Sequence, residues 1–366
     1  MKKLLSYIIL IFLFLISCSP RPRQTAVPQV PVDHGVLSKA GTAPALWLAT
    51  TDFQNAGVLR RLCLKTGELK DLLPIGTDVR ILPDGDNRLF LLTSIRDDSL
   101  HILEGSEANI VAQRALTPRV NPQAATRDNE GRVWLVSLDS NEVQIFSKDL
   151  RDEIATVNLS LSSLKDDDPY VELSSILFVA PNRVVVSASR LQRGEYWIPS
   201  STSGLVIIDT ETFKIVSSGL VDLSNPLYLY GTEPENILLV GSGDLSLSRS
   251  LFGKWLNLST VTLAASQKTT LSSRILDSAL CADGKLSFIE WIPEEEKSCI
   301  RVGDQNLVCD QGNGGYIFNK LACSGDIVFA SYVKEGNAEL WVILRDGSEV
   351  RRIPMKQPIQ SLTLGP

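Results

Sequence analysis

Residues with chemical potential are few and far apart. Of the two histidines, only His101 lies in the strand-rich part of the chain, so a Ser/His/Asp relay has a single possible base there. His101 alternates within Ser99-Leu-His-Ile-Leu103 and reads as a half-buried strand residue, and His34 sits in a proline-rich stretch where solvation is expected. Of six cysteines, Cys299 and Cys309 flank Ile300 to Val308. The turn Gly303-Asp304-Gln305-Asn306 sets the two sulfurs opposite each other on a hairpin, and an oxidising compartment would close that bond. Cys281 and Cys323 each stand just before a glycine-containing turn in adjacent repeats. Those two either bridge or are carried apart by diverging strands. Cys63, in Leu62-Cys63-Leu64, reads as a small buried hydrophobe, and no spacing matches a zinc site.

Acids gather at Asp97-Asp98, Asp166-Asp167-Asp168 with Glu172, and Glu294-Glu295-Glu296. Calcium would suit such oxygens, yet no Asp-x-Asp-x-Asp-Gly loop is present, and charge runs are usually solvated loops. No cofactor or metal is therefore expected. The most distinctive polar stretch is Arg190 to Ser203, where Arg190, Arg193, Glu195, Tyr196 and Trp197 place guanidinium groups beside aromatic rings. That composition is enriched at protein interfaces. The other reading is that the rings cover a neighbouring element and the arginines pair with local acids. Ser242 to Trp255 is a second long polar insertion.

What positions these residues is a repeat. Arg183-Val-Val-Val-Ser-Ala-Ser189 is a β-branched strand, and Gly204 to Val216 holds two more strands around the turn Asp209 to Thr212. Strands matching Arg183 to Ser189 recur at Ala45 to Thr50, Arg88 to Thr93, Arg132 to Ser137, Asn236 to Gly241, Lys285 to Glu290 and Asp326 to Ser331. Their spacing of about 41 to 53 residues is that of propeller blades. Six are preceded by an inner strand: Asp78 to Leu82, Pro122 to Thr126, Leu173 to Val179, Leu227 to Gly231, Ile275 to Cys281 and Tyr316 to Ala322. The first has none, whereas the chain ends in an orphan strand, Ile359 to Leu364. The expectation is an all-β, seven-bladed β-propeller of four-stranded antiparallel blades, with the ring closed by that C-terminal strand pairing in the N-terminal blade. A β-sandwich would need two unequal sheets and an unusually long domain. Short helices are allowed at Leu159 to Lys165 and Thr262 to Ser273, and the fifth repeat has poorly marked outer strands.

Asn121-Pro122-Gln123, Arg132-Val-Trp-Leu-Val, Ser174-Ser175-Ile176, Arg190-Leu-Gln-Arg193 with Trp197-Ile-Pro-Ser, Leu205 to Thr212 and Asn225-Pro226 together resemble bacterial YncE-type seven-bladed propellers. The resemblance implies an exported, non-catalytic binding propeller. By residue type and location, Glu172, Asn121 and Asn225 also resemble the Glu and Asn/Asp sets of propeller lactonases. A metal-dependent lactonase or esterase is thus the rival activity, and polysaccharide binding by Tyr196 and Trp197 is a third reading. Asn121, Asn225 and Asp78 begin inner strands and either face the tunnel mouth or cap turns.

Ahead of the domain, Lys2 and Lys3 open an apolar run that is short for a membrane span and ends in Leu15-Ile16-Ser17-Cys18. That tetrapeptide resembles a bacterial lipobox. The expected organisation is a lipoprotein signal over 1–17, lipidated Cys18 with a proline-rich tether over 18–43, and one domain over 44–366. Ser19, in place of an Asp, implies the outer membrane, with the domain facing periplasm or exterior. Losing Lys2 and Lys3 takes the formal charge from −6 to −8. With no Lys/Arg cluster either, nucleic acid is not an expected partner. A monomer meeting an envelope protein is.

Overall fold

The computed structural model describes residues 45–365 other than Asn55, Asp86, 95–97, 161–163, 165–168, 194–196, Pro234, 248–249 and 313–316. The expectations placed on 1–17, Cys18, the tether, Asp97, Asp166 to Asp168, Glu195 and Tyr196 therefore lie outside the described residues.

Seven four-stranded antiparallel sheets form a propeller. The inner strands of blades 2 to 7 are Val79–Pro83, Pro122–Arg127, Leu173–Val179, Pro226–Glu233, Arg274–Leu280 and Phe318–Ser324. That of blade 1 is Ile359–Gly365, which pairs antiparallel with Ala45–Thr51, placing Leu364 opposite Leu46 and Leu362 opposite Leu48. The ring therefore closes through the C-terminal strand, and the first blade has the same four strands as the rest.

Burial follows from the radial stacking of blades. Each sheet is packed on both faces, so second strands are largely buried and mostly apolar: every residue of Ala45–Thr51 and of Val133–Ser137 is buried. Alternation then assigns side chains to opposite neighbours. Val184 and Val186 join Trp134, Val136 and Ile145 in the cluster between blades 3 and 4. Val185 joins Ile237, Leu239 and Leu256 between blades 4 and 5. Outer strands meet solvent and lose this apolar character, which is why those of blade 5 are weakly marked. They are Lys254–Ser259 and Ala265–Thr270. The second lies where a helix was allowed, because its backbone is taken up by the ladder to Lys254–Ser259. The helical turn among the described residues is instead Pro293–Glu295, in blade 6.

Inner strands have one edge in their own sheet and one toward the tunnel, where backbone donors need other partners. Side chains of neighbouring inner strands supply them. Ser361 Oγ accepts from the Ile81 amide at 3.0 Å, Thr126 Oγ1 from Phe178 at 3.3 Å and Asp277 Oδ2 from Leu321 at 2.6 Å.

Both disulfides form. Cys281 joins Cys323 across the inner strands of blades 6 and 7, and Cys299 joins its register partner Cys309 within blade 6. Cys63 is half-buried, not buried as expected, because it ends Gly57–Cys63 on the alternate side that turns outward. Burial pushes its thiol up, but hydrogen bonds with Thr66 and Lys65 and the nearby Arg61 charge bring it below the ordinary value overall.

Chain-entropy arguments make the wider bridge the stronger one. Replacing Cys281 and Cys323 by Ser, separation 42, is expected to cost about 4 kcal/mol, against about 2 to 3 kcal/mol for the Cys299/Cys309 pair, separation 10. Equilibrium denaturation of the two double variants measures the difference, and equal losses would show that loop length does not govern it.

Candidate binding rim

The loops joining second to third strands, and those leading into inner strands, share one face of the ring. The longest loop from a second to a third strand lies in blade 4, between Arg183–Ala188 and Ser203–Asp209. It folds back on itself through the short ladder Leu191–Gln192 with Ile198–Pro199. Arg190, at its base, has φ 52°, donates from Nη1 to Thr202 Oγ1 at 2.7 Å and accepts at its carbonyl from the Ser200 amide at 3.0 Å.

Arg193 holds the insertion down. Its Nε donates to Glu172 Oε1 at 2.9 Å, its Nη1 to Asp139 Oδ1 at 2.5 Å and its Nη2 to the Leu138 carbonyl at 3.3 Å. Leu138 and Asp139 belong to blade 3, Glu172 to the entry of blade 4. One guanidinium therefore ties the insertion to two blades. Glu172 is fully buried at φ 49°, and its other oxygen accepts from the Leu191 amide at 3.1 Å. A left-handed Glu is sterically unfavourable, and these bonds, with the Ser189 amide donating to its carbonyl, hold it there. Burial alone would lower the Arg193 pKa, but the hydrogen bonds to Asp139 and Glu172 outweigh it and leave it raised.

The same guanidinium lies over two rings, 4.5 Å from the centre of Tyr170 and 4.8 Å from that of Trp197. Trp197 is 46% exposed. An aromatic that is both open to solvent and fixed in place is the principal chemical feature of this rim. Leu247, 48% exposed, stands in the corresponding loop of blade 5. There Arg274 is buried against Phe252 at 5.0 Å and donates to the Asp244 carbonyl at 3.2 Å.

The residues at the starts of inner strands hold turns or, for Asp78, join the neighbouring inner strand. Asn121 Oδ1 accepts from Gln123 Nε2 at 2.7 Å, Asn225 Nδ2 donates to Ser242 Oγ at 2.7 Å, and Asp78 Oδ1 accepts from Gln360 Nε2 at 2.7 Å. In each case the backbone carbonyl also accepts an amide from the end of the second strand: Leu138, Ser242 and Ser94 respectively. Glu172 is thus joined to Arg193 and the two asparagines to their own corners, so these contacts do not draw the three together as one ligand set. Asp98 is buried and accepts from the Arg119 and Asn121 amides. Glu294 and Glu295 lie near Arg274 and Lys297, and among the described residues no three His, Cys, Asp or Glu cluster as metal ligands would. His101 Nε2 meets Ser99 Oγ at 2.8 Å, while its buried Nδ1 has no hydrogen-bond partner among the described residues, so no carboxylate completes a relay. Burial lowers its pKa.

A second cluster, not anticipated from sequence, joins three inner strands. Tyr228 donates to Asp277 Oδ1 at 2.6 Å, and Tyr230 donates to the Ser278 carbonyl at 2.7 Å. Burial raises the Asp277 pKa, and also those of both tyrosines. The available signals were the alternating Tyr-Leu-Tyr of blade 5 and a carboxylate inside the otherwise neutral Ile275 to Leu280.

No family model and no curated protein matches the sequence. Solved structures share the fold at low identity. A putative 6-phosphogluconolactonase from Bacteroides fragilis is 10% identical with TM-score 0.60, over 87% of this chain and 96% of that one. The Cps50 (Swd1) β-propeller domain of Myceliophteria thermophila is 11% identical with TM-score 0.55, over 82% and 96%. The dihydro-heme d1 dehydrogenase NirN, solved with DHE, is 11% identical with TM-score 0.54, over 95% and 78%.

Two measurements test these networks. Arg193→Ala leaves buried Glu172 without its ion pair and is expected to cost about 3 kcal/mol in denaturant unfolding. Trp197→Ala, which strips an exposed ring, should cost less than half of that, and the reverse order would refute the role given to Arg193. Because the folded Asp277 pKa is raised, its contribution to stability is fully present below the ordinary value of 3.8 and is lost as pH rises through the folded value. Asp277→Asn should therefore gain stability relative to wild type with rising pH, and a difference independent of pH would remove burial as the cause.

Proposed function

We propose that this chain is an exported, lipid-anchored propeller that binds another protein of the cell envelope through the blade 4 rim and performs no chemistry of its own. The carrying observation is Trp197, exposed yet fixed over Arg193, which is itself fixed by Glu172 and Asp139. Preorganised aromatics of this kind bind with little loss of side-chain entropy and form the energetic centres of interfaces. Supporting the compartment are the lipobox-like Leu15-Ile16-Ser17-Cys18 and Ser19, which point to the outer membrane, and two disulfides of the sort that persist outside the cytosol. Several acyl chains on Cys18 would hold the protein stably, at about 0.8 kcal/mol per buried methylene. The described chain enters the ring at Ala45, on the face of the inner hairpin turns and opposite the rim. Likeness to YncE-type propellers agrees with this reading.

The lactonase or esterase reading has the fold of the Bacteroides fragilis structure behind it, and fold alone does not carry activity. In this chain a metal at Glu172 would have to displace Arg193 and the Leu191 amide, which donate to its oxygens. The donor set fits a structural ion pair better than a ligand set.

Crosslinking mass spectrometry in the native envelope tests the proposal. Wild type is expected to give crosslinks to one defined protein near the blade 4 insertion, and Trp197→Ala to lose them while its melting curve still shows a cooperatively folded protein. Retention of those crosslinks would overturn the assigned site. Capture of a polysaccharide through Trp197, resistant to salt, would replace the protein partner with a sugar.

A further inference from the structure

The outer strand of each blade has a free edge, whose unpaired backbone groups invite another strand unless charge or proline blocks it. Six of the seven outer strands carry such a block. Blade 1 has Lys70, Asp71 and Pro74, blade 2 Arg114, blade 3 Glu153, blade 5 Lys268, blade 6 Asp310 and blade 7 Arg351, Arg352 and Pro354. Blade 4 has none. Its outer strand is Ile215-Val-Ser-Ser-Gly-Leu-Val221, with Ile215, Val216 and Leu220 exposed at 40%, 54% and 46%. The β-bulge near Val216 does not set this edge apart, since the outer ladders of blades 1, 2, 3, 5 and 6 have one too.

This edge is close to self-complementary about Ser218. An antiparallel partner of the same sequence, centred there, sets Val216 opposite Leu220, Ser217 opposite Gly219 and Ile215 opposite Val221. Val216, Ser218 and Leu220 share the exposed face, so the two copies would form one continuous apolar strip across the seam. In the same register Lys214 of each copy falls opposite Asp222 of the other, which within its own copy already pairs with Lys254 and Lys268. A neutral strand whose apolar residues repeat about Ser218 suits a second copy, since a two-fold interface must be complementary to itself.

We propose that two copies of this chain associate by antiparallel pairing of Ile215–Val221 on a two-fold axis through Ser218, in place of the monomer expected from sequence. The pairing joins two blades into one eight-stranded sheet and leaves the rim of each copy open, so it stands independently of the binding function proposed above.

Sedimentation equilibrium of the full chain in detergent, with the detergent density-matched, tests this together with a cysteine crosslink. Wild type should show the protein mass of two chains, and Ser218→Lys, which opposes two lysines on the axis, the mass of one with an unchanged melting curve. Ser218→Cys should oxidise to a covalent dimer and Val216→Cys should not, because only residue 218 faces its own copy. A single-chain mass for wild type overturns the proposal, as does a doubled mass that survives Ser218→Lys, which would reflect two chains sharing a micelle. So does an extended strand from a different protein found on Ile215–Val221 in place of the second copy. Trp197→Ala serves as the control and should leave the mass unchanged.

Discussion

Every blade in a closed ring must present both faces to neighbours, and that condition depends on the ladder between Ile359–Gly365 and Ala45–Thr51. Without it Ala45–Thr51, buried at every residue, would become an open apolar edge, and Leu46, Leu48, Phe329 and Leu340 would lose the cluster they share with Ile359. Closure also sets the geometry of the tunnel. With the ring complete, neighbouring inner strands come near enough for Ser361, Thr126 and Asp277 to accept their tunnel-side amides. Backbone donors that no sheet can satisfy are thereby paired without water.

Arginines join the blades on both faces of the ring. On the face of the hairpin turns, Arg127 makes a two-pronged contact with buried Asp84 of the preceding blade, at 2.8 and 2.6 Å. Arg132 and Arg183, each near the start of a second strand, donate to the Thr210 and Thr260 carbonyls of the following blade. On the opposite face Arg193 does the equivalent between blades 3 and 4. A planar group with five donors suits such corners, where a carboxylate, a carbonyl and a ring must be met at once. At the rim the same arrangement leaves Trp197 exposed against the Arg193 guanidinium.

The acidic loops illustrate why residue type alone misleads about chemistry. Asp98 is buried and Glu172 fully so, yet each is consumed by local donors: two amides for Asp98, an amide and a guanidinium for Glu172. Such carboxylates organise turns. Asp277 differs in that it sits inside a strand and answers to three blades, and its raised pKa records how little solvent reaches it.

Strand identity was legible in the sequence because packing on both faces demands unbroken β-branched and aliphatic runs, which survive in Val133–Ser137 and Arg183–Ala188 whatever lies around them. Ring closure was legible too, since an inner strand missing at one end and an orphan strand at the other admit one pairing. The Cys299/Cys309 bridge followed from a local turn. Outer strands such as Ala265–Thr270 were obscure, because solvent on one side relaxes their composition. What only the tertiary structure decided was contact between segments distant in the chain. Arg193 meets Asp139 across 54 positions, Asp277 meets Tyr228 across 49, and Cys281 lies beside Cys323 only because blades 6 and 7 stack. Local pattern determines which residues form strands, whereas partners across blades depend on the curvature and closure of the whole ring, which no short stretch of sequence encodes.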